Sequence, residues 1–326
     1  MKLSIIILSY NEAQYLSQAI ESCLNQDCNF PFEIVIVDDG STDGSIDIIK
    51  QYQAKYTDRI RYFVMDRSDA TDVIPSIRAS NALKRGFQES SSAYFTVLSG
   101  DDLLLDTHKV SVQVEYLEKH PDFASTYTDY KKFWDDGREI PCMMHTDRSR
   151  VVFWSGLYMH ISCFVFRREA LDYLLDRFCD DTGLIFSIFR TGKSKHLSGI
   201  AFGYRQREYS IMQKASILEL NILEMALCQD VVNQSGMKSS TLSRYEKPMR
   251  YVFDHREELN SEKYRKYINS CSQYSNNYLG EIAKFDCLPS TSRRKLKRLM
   301  LVGFVLHLCF KIMCKIETIV RMIINK

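Results

Sequence analysis

Two short apolar runs in this chain each end in a pair of adjacent aspartates. Glu33-Ile34-Val35-Ile36-Val37 runs into Asp38-Asp39-Gly40-Ser41, and Ala93-Tyr94-Phe95-Thr96-Val97-Leu98 runs into Ser99-Gly100-Asp101-Asp102. Both runs are rich in β-branched and aromatic residues and stop at Gly and Ser, as buried strands of a parallel sheet do. Ligands of open α/β sheets bind outside the carboxyl ends of the strands. None of the four carboxylates has a basic residue nearby in sequence, so they are expected to repel one another strongly. A divalent cation and a polar ligand are the natural relief.

The alternation continues on both sides. Residues 3–8 read as a first strand, and Glu12 to Leu24 as an amphipathic helix with Leu16, Ala19, Ile20 and Cys23 inward. A helix follows the N-capping residues Ser41-Thr42-Asp43, and a third strand spans 60–64. A helix around 74–89 precedes the strand at 94–98. Strands alternating with helices imply βαβ units and a parallel sheet. Beyond Asp106 the pattern predicts a helix over Lys109 to Lys119, short strands near 123–133, 151–153 and 164–166, and a helix over 180–191. Residues 214–285 are mostly helical by composition.

Charge is unevenly spread. The 326 residues carry a net charge of +2, but Thr291 to Lys326 hold nine Lys or Arg against the single Glu317, which leaves about −6 for residues 1–290. Arg293, Arg294, Lys295, Lys297 and Arg298 precede an apolar stretch at 299–310 that is too short to span a bilayer, which needs about 20 residues. The pattern suits a helix lying in a membrane interface, where each basic residue near an anionic leaflet contributes roughly 1 kcal/mol. A packed C-terminal helix or an oligomer contact is the alternative. The ten cysteines include no CxxC pair, which fits reduced thiols in a cytoplasmic protein. The apolar start, Met1 to Leu8, runs straight into Ser9-Tyr10-Asn11-Glu12 and reads as a strand, not a signal peptide.

Taken together, Ser4-Ile5-Ile6-Ile7-Leu8-Ser9-Tyr10-Asn11-Glu12, Val35-Ile36-Val37-Asp38-Asp39-Gly40-Ser41-Thr42-Asp43 and Gly100-Asp101-Asp102 resemble family 2 glycosyltransferases, over about residues 1–212. The resemblance implies a GT-A fold: a Rossmann-like α/β architecture with a mixed, mostly parallel sheet flanked by helices, here with a helical C-terminal extension. The expected division is a nucleotide-sugar-binding half at 1–105, an acceptor-binding half at 106–212, a helical extension at 213–290 and the basic amphipathic tail at 291–326.

The resemblance also implies inverting transfer from a nucleotide-diphosphate sugar. Asp38 and Asp39 would receive the base and ribose, with Ser9, Tyr10 and Glu12 completing the pocket. A base stacked on Tyr10 would gain ~1–3 kcal/mol. Asp101 and Asp102 form the DxD-like element, Asp102 holding Mg²⁺ or Mn²⁺, which lowers the barrier to diphosphate departure by several kcal/mol. Arg78 and Asn81 sit where relatives place donor contacts. A general base must deprotonate the acceptor hydroxyl, typically a 10²–10⁴-fold effect. Cys179-Asp180-Asp181-Thr182-Gly183 before Gly192-Lys193 resembles the family's acidic motif, which puts Asp181 on the base with Asp180 beside it. Capping of a helix N-terminus is the competing role for both. Tyr204-Arg205-Gln206-Arg207-Glu208-Tyr209-Ser210 resembles a segment that in many relatives reads YRxHxxS. Arg207 stands in the His position, and a guanidinium pairs with diphosphate where it cannot bind a cation. A plain surface arginine is the other reading.

The expected partners are a nucleotide-sugar donor, a glycan or lipid-linked acceptor, an anionic membrane surface met by residues 293–326, and a second copy of the chain. The expected location is the cytoplasmic face of a membrane, peripherally bound. No nucleic-acid partner is expected. A Rossmann oxidoreductase fails at Ser9-Tyr10-Asn11-Glu12, which lacks the glycines that admit a pyrophosphate. An aspartyl phosphatase lacks its D-x-D spacing at Asp38-Asp39. An inactive scaffold on the same fold remains open.

Overall fold

A computed structural model describes residues 1–68, 74–144, 160–174, 181–207, 216–225 and 248–272. The chain divides into two compact units: one of residues 1–149 and 159–210, the other of 150–158 and 211–326.

The first unit is built on a nine-stranded mixed sheet. Its first half is parallel: β1 (Leu3–Ser9) lies between β2 (Phe32–Asp38) and β4 (Tyr94–Ser99), and β3 (Ile60–Val64) lies outside β2. β1 and β2 are buried almost throughout, which is why their sequences are continuous apolar runs without polar alternation. Helices α1 (Leu16–Leu24), α2 (Ser45–Lys55) and α3 (Pro75–Gln88) make the crossovers. Leu16, Ala19, Ile20 and Cys23 line the buried face of α1, as their spacing predicts.

The second half is largely antiparallel. After β4 come the two-residue strand β5 (Leu103–Leu104), α4 (Lys109–Lys119), β6 (Phe123–Phe133), β7 (Glu139–Cys142), β8 (Phe164–Arg167), α5 (Asp181–Thr191) and β9 (Lys193–Arg205). The sheet order is β3-β2-β1-β4-β8-β6-β9-β5, with β7 paired to β6. β7 and β9 were not foreseen; β9 begins with Lys193-Ser194-Lys195-His196, and only Ser194 of its first eight residues is buried, so it carries no apolar run. It forms because β6 offers it a parallel edge over most of its length. The strand foreseen at 151–153 lies outside the described residues.

Strand register positions the site. Ser9 pairs with Asp38, and Leu8 pairs with Ser99, so β1, β2 and β4 end level with one another. The two aspartate pairs therefore leave the sheet on either side of β1, at the same edge.

In the second unit, helical stretches run over 217–225, 248–254 and Glu262–Ser272. Glu219 caps one of them by accepting from the Ser216 N–H at 2.6 Å and pairs with Lys263 at 3.3 Å. No helix among the described residues is long and apolar enough to cross a membrane. The basic tail at 291–326 lies outside the described residues.

Candidate active site

Asp38, the last residue of β2, is fully buried and serves its own loop. Its carboxylate accepts from Ser9 Oγ at 2.9 Å, from the Ser41 N–H at 2.7 Å and from Ser41 Oγ at 2.6 Å. The turn after β1 is stitched to the same loop. Asn11, in the left-handed region at φ 54°, accepts from the Thr42 N–H at 2.8 Å through its amide oxygen, and its own N–H donates to Ser41 Oγ at 2.8 Å. The Glu12 N–H donates to Ser45 Oγ at 2.9 Å.

Asp39 points the other way, against two arginines. Arg78, buried on α3, approaches side-on: Nη2 lies 2.7 Å and Nε 3.0 Å from Oδ1. Arg67 reaches Oδ2 at 2.6 Å, and its guanidinium lies 4.0 Å from the centre of the Tyr10 ring. Tyr10 is 38% exposed, so its ring lies at the surface beside Asp39. Asn81 is exposed on α3.

The second aspartate pair sits opposite. Asp101 Oδ2 pairs with Arg207 Nη2 at 2.5 Å, and the same Nη2 lies 3.1 Å from Glu12 Oε1. Gly100 makes this convergence possible, since a Cβ there would sit 2.3 Å from Glu12 Oε2. The expectation that the carboxylates lack basic neighbours is thus corrected. Arg67, Arg78 and Arg207 lie 28, 39 and 106 positions from the aspartates they meet, and the parallel crossovers and the return of β9 bring them back.

Asp102 is fully buried. Oδ1 accepts from the Arg205 N–H at 2.9 Å, and Oδ2 has no partner. Glu12 Oε2 is likewise buried without a partner. Burial raises both carboxyls well above the usual carboxylate range; the next largest cause for each is the nearby Asp101 charge. Two unmatched buried oxygens of hard, anionic type fit a divalent cation of the Mg²⁺ or Mn²⁺ kind, which takes one or two protein carboxylates and fills its shell with phosphate oxygens and water. Among the described residues, no group of three His, Cys, Asp or Glu side chains is arranged to hold an ion unaided.

Arg205 binds this loop to its surroundings. Nε donates to the Asp101 carbonyl at 2.8 Å, Nη2 to Gln18 on α1 at 2.7 Å, and Nη1 to Asp135 on the β6–β7 hairpin. Its guanidinium lies over both Tyr15 and Phe133, 4.5 and 4.6 Å from their ring centres. Asp181 opens α5, and burial pushes its carboxyl up to about 6. Asp181 shares a neighbourhood with the acidic loop: the charges of Asp102, Asp101 and Asp181 all add to burial in raising the Tyr204 phenol. Asp180 lies outside the described residues.

Arg67, Arg205 and Tyr204 escaped the sequence reasoning. Arg205 and Tyr204 stand inside a segment already singled out, so their signal was present. Arg67 follows a strand with no motif around it.

Comparison with known proteins places these features in a family. The sequence model of glycosyl transferase family 2 matches residues 4–175. An uncharacterized Mycobacterium bovis protein is 28% identical over 176 residues, 51% of this chain and 47% of that protein. A putative glycosyltransferase, EpsE of Bacillus subtilis, is 34% identical over 119 residues, 36% of this chain and 39% of its own length. The chain thus spans about half the length of the first curated relatives it matches. Among solved structures, S. aureus TarS 1–349 with UDP-GlcNAc superposes with a TM-score of 0.59 at 16% identity, covering 94% of this chain and 89% of that one. At that identity the likeness shows a shared GT-A fold.

Proposed function

Because the chain belongs to glycosyl transferase family 2, we propose that it is an inverting glycosyltransferase that moves a sugar from a nucleotide-diphosphate donor to a hydroxyl of a lipid-linked or polysaccharide acceptor. The observation that carries this reading is the shared edge at which Asp39 and the half-satisfied Asp102 flank the end of β1. An inert scaffold has no use for two buried carboxylate oxygens left without partners, each of which costs ~1–3 kcal/mol or more.

The roles divide as follows. Tyr10 stacks on the base and Asp39 accepts its N–H, with Arg78 fixing the carboxylate. Asp38, Ser9 and Ser41 hold the loop that presents Asp39 to base and ribose. Asn81 faces the donor from α3. Asp102, with Glu12, would hold Mg²⁺ or Mn²⁺; when bound, such an ion neutralises charge developing on a departing diphosphate. Asp101 holds Arg207 ready, and Arg207 turns its guanidinium to the diphosphate oxygens, a pairing to which its planar fork is suited. Asp181 takes the proton of the attacking acceptor hydroxyl while the sugar's anomeric bond to phosphate breaks on the opposite face. With its carboxyl near 6, Asp181 is mostly ionised at neutral pH yet more basic than an exposed aspartate. Asp180 stands next in line for that role.

TarS is described in complex with UDP-GlcNAc, so uridine donors are the first to try. Purified protein with Mn²⁺ and a panel of nucleotide sugars should give a thermal shift with one donor, about 2.7 kcal/mol of added stability at 100 times its Kd. The same donor should be slowly hydrolysed. Loss of both effects in Asp39→Ala is the expected result, and persistence of binding in that variant rejects the base pocket.

The basic, apolar tail at 293–326 supports peripheral attachment to the cytoplasmic face of an anionic membrane, where a lipid-linked acceptor lies. Co-flotation with vesicles containing anionic lipid, lost on deletion of 291–326 and absent with neutral vesicles, is the check. A size-exclusion profile in detergent would reveal self-association through the same segment.

A further inference from the structure

We propose that Arg67 is a built-in competitor for the base pocket: it holds the place of the nucleobase and must be displaced by it, which lowers donor affinity. The inference rests on the donor-site reading given above.

Arg67 already does what a base would do there. Its flat guanidinium lies on the Tyr10 ring, 4.0 Å from the centre, while Nη1 donates to Asp39 Oδ2 at 2.6 Å and to the Asp39 carbonyl at 3.0 Å. A planar group that stacks on Tyr10 and donates an edge N–H to Asp39 is a fair description of a bound nucleobase.

The shared Tyr10 face and Asp39 Oδ2 make the two exclusive. A carboxylate offers about four lone-pair positions. Oδ1 takes Nη2 and Nε of Arg78 at 2.7 and 3.0 Å, and Oδ2 takes Arg67 together with a longer 3.1 Å contact from Arg78 Nε. These three N–H groups, the single Nε hydrogen being shared between both oxygens, crowd the carboxylate, and a base that must also take the Tyr10 face and reach Oδ2 enters only where an arginine leaves. Arg78 is the poorer candidate, because its side chain is only 6% exposed and Nη2 also donates to the Asp66 carbonyl at 2.7 Å. Arg67 is 26% exposed and has solvent to move into.

The seat for Arg67 is shaped by the turn itself. Gly40 has φ +71°, and a Cβ there would come within 2.7 and 2.8 Å of Arg67 Cγ and Cδ. The missing side chain is what lets the arginine stem lie along the Asp39–Gly40 turn.

Exchange of this kind lowers affinity for every base alike, because Arg67 is released whichever base enters, and leaves the choice between bases to Asp39. A base with a ring N–H facing Asp39, as in uracil, replaces both the stack and the hydrogen bond that Arg67 gives up. A base with a bare ring nitrogen at that point, as in cytosine, leaves Asp39 short of a donor and recovers only the stack.

Titration calorimetry of the full chain with UDP and with CDP, in the presence of Mg²⁺, tests this directly. Removing Arg67 removes a competitor worth about one net hydrogen bond, so Arg67→Ala should bind UDP and CDP each about 5- to 10-fold more tightly, while the preference for UDP over CDP, which Asp39 sets, stays as in the wild-type chain. Arg67→Gln, which keeps most of the stem, should move both affinities in the same direction and serves if the alanine variant folds poorly. Weaker or unchanged UDP affinity in these variants, or a gain confined to one of the two nucleotides, overturns the proposal. Failure of the wild-type chain to bind any nucleoside diphosphate overturns the donor-site reading beneath it, a result separate from any behaviour of Arg67.

Discussion

The backbone N–H of Arg205, at the end of β9, donates to Asp102 Oδ1 across 2.9 Å and leaves Oδ2 of the same carboxylate unmatched. One strand end thus fixes the orientation of an acid that belongs to another part of the sheet. The two oxygens have different duties, and substitutions can separate them.

Asp102→Asn keeps an oxygen for the Arg205 N–H and should fold, losing only the second, anionic oxygen. Mn²⁺ should then cease to raise its melting temperature, and turnover should fall by ~10²–10³ as one point of charge stabilisation is removed. Asp102→Ala orphans the buried N–H and should in addition be destabilised by ~1–3 kcal/mol in denaturant titrations. Equal stability of the two variants would mean that the hydrogen bond has no weight in the fold.

Arg205 itself is a fork with three arms, to Asp101, Gln18 and Asp135, lying over two rings. Removing one member of a buried charged network costs about 3–5 kcal/mol, and the half-exposed Asp135 end brings that toward the lower figure. Lysine offers a point charge and no planar stack, so Arg205→Lys should recover less than half of the loss seen in Arg205→Ala. Chemical denaturation of the three proteins decides it.

How far the sequence announces all this depends on the range of the interaction. β1, β2 and β4 were legible because strands buried on both faces must be apolar throughout, and the polar residues that end them mark the sheet edge. The inward face of α1 was legible for the same local reason. β9 was hidden, since the first eight residues of Lys193–Arg205, only one of them buried, carry no strand pattern and pairing with β6 makes them one. At the site, Asp39, Asp101 and Asp102 stood out through adjacency, but their charge balance did not. The compensating Arg67, Arg78 and Arg207 come from distant segments, and nothing in their immediate neighbours marks which carboxylate each will meet.

The raised carboxyl of Asp181 sets the acid side of the rate profile. Burial disfavours the charged form and moves the group from 3.8 to about 6, so below pH 6 the base is protonated and cannot accept a proton. Transfer rates measured under saturating donor should therefore rise about tenfold per unit up to pH 6 and level above pH 7. Asp181→Asn should lower the plateau by ~10²–10⁴ and flatten this limb. A limb that persists unchanged in Asp181→Asn assigns the titration to another acid.

Lys109 opens α4 with a side chain that is almost wholly buried, and Nζ has no hydrogen-bond partner. Burial lowers the ammonium from 10.5 to about 8, against smaller opposing effects from Cys163, Cys23 and Asp106. The folded state holds its proton less tightly than the unfolded chain, so the lysine costs stability in full below pH 8, and the cost fades as pH rises toward 10.5. That shift corresponds to at most about 3 kcal/mol at pH 7. Lys109→Met, similar in length and uncharged, should therefore unfold at a temperature several degrees higher at pH 7, with the gain shrinking toward pH 10. A methionine variant that melts lower at pH 7 would show that the amine is satisfied inside the fold and supports α4.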